Sequence, residues 1–202
     1  VQWATLLGGA GVDNAFAVAV DDTGMVTVAG ATSSTDWPYG PRLVPARGAY
    51  VMRLDPSQSG AAQRVWCTML DGDRDDAAFD VAVSRDGLVV SVVGLTESTS
   101  GLPITTNACQ PSLRGVRDGF VAQIHGPTGL VTYCSYLGGV NGDWVKSVVH
   151  DAAGRLVIAG TTESPDFPTT TGALSTTLDG VQDLFVAILD PTRPPASQLV
   201  AA

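Results

Sequence analysis

The chain is poor in charge and poorer in groups that handle protons or metals. Charged residues make up 15% of its 202 positions, and Lys146 is the single lysine against ten arginines. With a net charge of −9, that argues against gripping a nucleic-acid backbone, which needs clustered positive charge. Only two histidines are present, His125 and His150. Neither has a partner at metal-ligand spacing, and no serine sits in a nucleophile motif. No hydrophobic run approaches the length of a membrane-spanning helix, so no membrane insertion is expected. Glutamate is nearly absent: Glu97 and Glu163 stand against 18 aspartates. Aspartate favours turns and glutamate favours helices, so the imbalance points to an all-β protein. The opening Val1-Gln2-Trp3 has neither the basic stretch nor the cleavage site of a signal peptide and reads as a strand already under way.

What the chain does have is a hydrophobic share of 45%, with 23 glycines and 12 prolines spaced between apolar runs. That is enough for a core and typical of turn-rich β proteins. The same pattern occurs three times. Asp13, Asp76 and Asp143 are each followed 11 residues later by Gly24, Gly87 and Gly154. Gly30, Gly94 and Gly160 then head polar tracts, and an aromatic (Trp3, Trp66, Tyr133) precedes each aspartate by 10 residues. Successive repeats are 63 and then 67 residues apart. Each resolves into four apolar strands; in the first these are predicted at 15–20, 25–31, 49–54 and 64–70. Asp21-Asp22-Thr23-Gly24 and its counterparts at 84–87 and 151–154 read as hairpins whose glycine supplies positive φ.

Four short antiparallel strands per repeat describe a β-propeller blade. Runs such as FAVAV and LVVSVV do not alternate with polar residues, as expected of sheets covered on both faces. Gly8-Gly9 and Gly138-Gly139 are expected to turn the chain back towards the axis. A β-trefoil also has three four-stranded units, but these repeats are too long and loop-rich for one. The expected organisation is a single array over 1–202, with repeats at about 11–70, 74–137 and 141–202. Residues 1–7 form an outer strand that closes another blade, and the tail 197–201 is a poor outer strand. Two chains then complete a six-bladed ring as a homodimer, or the chain is a slice of a longer array.

LLGGAGVDNAFAVAVDDTGMVTVAGATSSTDWP and YLGGVNGDWVKSVVHDAAGRLVIAGTTESPDFP resemble the bacterial SBBP repeats, the family named for seven-bladed β-propellers. The resemblance rests on the GG…D turn, the VD/HD…G hairpin, the G-x-T-x-S-x-[DS]-[FW]-P loop and the closing D-x-F-V-A-x-[IL] strand. The chain departs at Asp71, at Gly101-Leu102, and at 47–50, which lack the usual acid. The resemblance implies a secreted or cell-surface bacterial protein and no set of catalytic residues.

Candidate sites follow from the repeat. Thr32, Ser34 and Asp36, Thr96 and Ser98, and Thr162, Ser164 and Asp166 project from one end of the blades. With Trp37 and Phe167 beside them they could bind a glycan or protein partner; alternatively the hydroxyls serve their own loops and the aromatics plug the gaps between blades. Asp71, Asp73 and Asp75 alternate like the first half of a calcium loop but lack its closing glutamate, so a solvated corner is the competing reading. Calcium is the one candidate cofactor. Asp80 is placed on the inner strand, towards a channel, where a composite site acting on polysaccharide would form. Cys67 and Cys134 occupy equivalent positions one blade apart, too far for a bridge. Cys109 could reach either, or all three are buried and inert. The function expected is a non-catalytic extracellular scaffold, with a polysaccharide enzyme or a structural spacer as alternatives.

Overall fold

The computed structural model describes residues 3–41 and 46–201. Twelve strands alternate with turns and two single-turn 3₁₀ segments: β1 (Asp13–Val20), β2 (Val26–Thr32), β3 (Gly48–Leu54), β4 (Arg64–Leu70), β5 (Asp76–Val83), β6 (Val89–Thr96), β7 (Asp118–His125), β8 (Val131–Leu137), β9 (Asp143–His150), β10 (Leu156–Thr162), β11 (Asp183–Leu189) and β12 (Leu199–Ala201). They form three antiparallel four-stranded sheets, β1–β4, β5–β8 and β9–β12, each in sequence order. Three separate blade-like sheets exclude the trefoil, and they do not close a ring.

The hairpins form as expected. Gly24, Gly87 and Gly154 take φ of 84°, 70° and 79°, the left-handed region where a side chain is disfavoured. Each first strand carries a bulge at the same place, skipping Phe16, Phe79 and Lys146 in the register. The bulge brings the carbonyls of Asn14, Ala77 and Trp144 against Gly30, Gly94 and Gly160, where a Cβ would collide with them. These glycines are therefore required by close approach.

Sheets stack face to face. Ala29, Ala49, Val51, Trp66 and Leu70 of the first sheet share a core with Ala78, Val81, Val92, Phe120 and Ile124 of the second. Val93, Val121, Tyr133 and Leu137 then pack against Val145, Ile158, Phe185 and Leu189 of the third. The first seam also buries an ion pair, Arg53 to Asp21, both with almost no exposed side chain. At the second seam His150 Nε2 lies 2.8 Å from Ser91 Oγ, which also receives Gln123 Nε2 at 3.4 Å.

The ends differ from expectation in two respects. The tail does form a strand: β12 pairs with β11 at Leu189 and Ile188. Of the segment expected as an outer strand, residues 1 and 2 lie outside the described residues, and residues 3–7 are in no strand. Trp3 and Leu7 pack on the outward face of the first sheet with Trp37, Tyr50, Met52 and Leu54.

Candidate functional site at the loop end of the sheets

The three repeated aspartates hold the loop end together; Asp76 and Asp143 are fully buried and Asp13 is half-buried. Asp13 accepts Gly9 N at 2.8 Å, Thr32 Oγ1 at 2.5 Å and Ser34 Oγ at 2.8 Å. Asp143 takes Gly139 N at 2.7 Å and Ser164 Oγ at 2.8 Å, both at Oδ2. Asp76 takes Gly72 N at 2.7 Å and Ser98 Oγ at 2.9 Å, both at Oδ2. Each serine in turn accepts a turn amide: Gly11 N, Arg74 N or Asn141 N, all at 2.9 Å. The six hydroxyls named in the sequence are thus buried and turned inward. Their hydrogen-bonding capacity serves the loops, as Ser and Thr side chains do in local motifs.

The turn glycines act by the same close packing. A Cβ on Gly9 or Gly139 would strike the serine and the loop aspartate, and neither residue has positive φ. The expected conformational reason for these glycines is therefore replaced by a steric one.

The acids around these turns divide the remaining donors. Asp36 and Asp166 accept Ala10 N and Val140 N, at 2.8 and 2.9 Å. In the second repeat Ser100 replaces that loop acid, and Asp73 reaches back from the turn to Thr99 N and Ser100 N, at 2.8 and 3.1 Å. Asp75 accepts Arg47 N at 3.0 Å, while Asp71 is buried. Asp71, Asp73 and Asp75 thus have separate surroundings. Among the described residues no three His, Cys, Asp or Glu side chains gather as metal ligands.

Burial dominates the electrostatics here. It pushes the Asp76 carboxyl up to about 6, against the hydrogen bonds it accepts and with a contribution from Asp71. Asp143 and Asp118 are raised for the same reason. Asp118 accepts Gln110 Nε2 at 2.6 Å and Arg114 N at 3.0 Å.

Trp37 packs against Tyr50, with ring centroids 4.9 Å apart, and Phe167 against Phe185 at 4.4 Å; Leu102 is buried in the equivalent place. Asp80 spends its carboxylate between sheets, accepting Ser147 Oγ and Val148 N, each at 2.9 Å. The Ser91–His150 pair, invisible in the sequence, has the contact of a nucleophile and base, but Ser91 is fully buried and burial lowers the His150 pKa. The Ser91 hydroxyl is enclosed between the sheets, not presented at the surface. The three cysteines are free, so no bridge forms. Burial pushes Cys67 and Cys134 up to about 11 and 12, which makes them poor nucleophiles.

Sequence comparison between repeats overlooked a second group at the same end, where the repeats differ. The Arg117 guanidinium lies 5.5 Å from the half-buried Trp144 ring and bridges to Glu97 at 3.2 Å. Asn141 Nδ2 bonds Glu163 O at 2.8 Å, and Gln182 Nε2 lies 3.3 Å from Glu163 Oε1. Backbone bonds register this group: Asp143 N donates to Arg117 O and Glu163 N to Gly142 O, at 3.1 and 2.9 Å. Both glutamates of the chain, an aromatic ring and two amides therefore share one partly exposed patch. Their signal in the sequence was the pair of rare glutamates, each one residue after a loop threonine. Compared with known proteins, the chain matches no family model and no curated protein.

Proposed function

We propose that this chain is a non-catalytic scaffold of the kind the SBBP resemblance implies, secreted or displayed at a bacterial surface. It binds a glycan at the loop end. The observation carrying this reading is the Trp144 patch. An indole face offers stacking area to a sugar ring, while Glu97, Glu163, Gln182 and Arg117 offer directional bonds to hydroxyls. The buried aspartate–hydroxyl sets supply the rigidity that keeps such a surface preorganised. Against catalysis stands the use of Asp80, Asp76 and His150 in holding the fold together, which leaves no converging acid, base and nucleophile among the described residues.

A glycan array probed with the protein and with Trp144→Ala tests this. A bound glycan class whose signal drops at least tenfold in the variant is the expected result. No bound glycan, or binding that Trp144→Ala leaves unchanged, overturns it.

A further inference from the structure

The third sheet lacks most of its outer strand. In the second sheet β8 covers β7 from Gly119↔Leu137 to Ile124↔Val131. In the third, β12 meets β11 only at Ile188 and Leu189, leaving the edge from Asp183 to Ala187 without a partner strand among the described residues. A cavity of about 290 Å³ opens along that edge, lined by Phe167, Leu174, Leu178, Leu184, Phe185 and Val186. Leu174 is fully exposed and Leu184 is 77% exposed. An apolar groove beside unpaired backbone groups is built for a β-strand.

The chain also carries a strand-like segment that pairs with no strand among the described residues. Residues 3–7, WATLL, repeat β4's WCTML and β8's YCSYL, yet they form no ladder, and Leu6 is 98% exposed. Trp66 donates its indole N–H to Gly126 O at 2.6 Å, and Tyr133 its hydroxyl to Gln198 Oε1 at 2.7 Å. The indole N–H of Trp3 is buried with no acceptor among the described residues. Both equivalents lie on paired strands, opposite Arg53 and Gln123.

We infer that the groove on β11 takes residues 4–7 of a second copy of this chain. The register of the second sheet transfers directly, opposing Leu7 to Leu184, Leu6 to Phe185, Thr5 to Val186 and Ala4 to Ala187. Leu6 then enters the Phe167–Phe185 cavity.

The two open sheet faces favour this occupant over an unrelated strand. At the second seam Gly119 is small and a Cβ there would strike Val145. The equivalent positions on the open faces are Leu184 and Ala15, large against small in the reverse sense. The polar set of buried Ser91 with half-buried Gln123 and His150 corresponds on the open faces to Val157, Ile188 and Val20, all apolar. Of these Val20 is exposed in the single chain, as is Val186 beside the groove. Each open face thus supplies what the other lacks, and reciprocal docking about a twofold axis closes six blades.

Light scattering on a size-exclusion column is the test, with Leu6→Asp and Leu174→Asp as variants. Both side chains are exposed in the single chain, so neither change threatens its fold; circular dichroism matching the wild type verifies this. The expected result is a wild-type mass of twice 20.8 kDa that falls to 20.8 kDa in both variants. A wild-type monomer at about 100 µM overturns the inference, as does a dimer that both variants leave intact. The glycan reading is independent, since Trp144→Ala changes array binding without touching this groove.

Discussion

At the scale of single residues, Asp76 shows how this fold uses its acids. Its carboxylate is fully buried; Oδ2 accepts one amide and one hydroxyl while Oδ1 has no partner among the described residues, so burial costs more than the hydrogen bonds return. The direction of the pH effect follows. Unfolded, the group titrates near 3.8; folded, near 6. Its stabilising contribution is complete below the lower value and disappears as pH rises through the upper one. At about 1.4 kcal/mol per pKa unit, the loss between pH 4.5 and 7 is about 2 kcal/mol. Denaturant unfolding of the wild type against Asp76→Asn isolates the effect: the wild type's advantage should shrink by that amount over the interval. The comparison cancels the opposite pull of His150, whose folded pKa is lowered.

At the scale of elements, the bulged first strand fixes what its neighbour can be. Gly94 lies opposite Ala78, beside the skipped Phe79, and a methyl there would meet the carbonyl oxygen of Ala77. Backbone cannot swing aside as a side chain can, so Gly94→Ala should cost about 3 kcal/mol, measured as a shift of the urea midpoint. The sequence made the strands legible because hairpin glycines and apolar runs are local: β1 to β4 begin and end within two residues of the predicted bounds. It also showed that Thr32, Ser34 and their counterparts matter, but not in which direction they face. A hydroxyl beside a buried carboxylate and one beside solvent read alike until the turn at Gly9 is placed against the loop at Ser34. The Trp144 patch was hidden for another reason. Trp144 stands where the other repeats have Asn14 and Ala77, and a reading built on similarity passes over such positions. Arg117 and Trp144, moreover, meet only across a seam.

At the scale of the whole molecule, stability resides in the seams. Arg53 crosses from the first sheet towards Gly87 and Gly126 of the second while paired with Asp21. Asp21 is held charged despite its burial by bonds from Thr23 and Met25 and by Arg53 itself, and its pKa lies below the usual range. Arg53→Ala leaves that carboxylate enclosed, although Asp21 Oδ1 keeps Thr23 N, Thr23 Oγ1 and Met25 N. The expected cost is therefore about 3 kcal/mol, the lower end for a broken buried pair, and differential scanning calorimetry would show it. The turns hold a different kind of constraint. In the first and third repeats the loop supplies the acid and the turn supplies the amide, whereas in the second these roles are exchanged between Ser100 and Asp73. Shuffling repeat segments is consequently not free. A first-repeat turn joined to a third-repeat loop keeps one acid per junction. A second-repeat turn joined to a third-repeat loop sets Asp73 against Asp166, and a first-repeat turn on a second-repeat loop has no acid at all. Turn and loop are thus inherited as a pair, and the smallest piece of this chain that can be exchanged without loss runs from one turn through the loop that answers it.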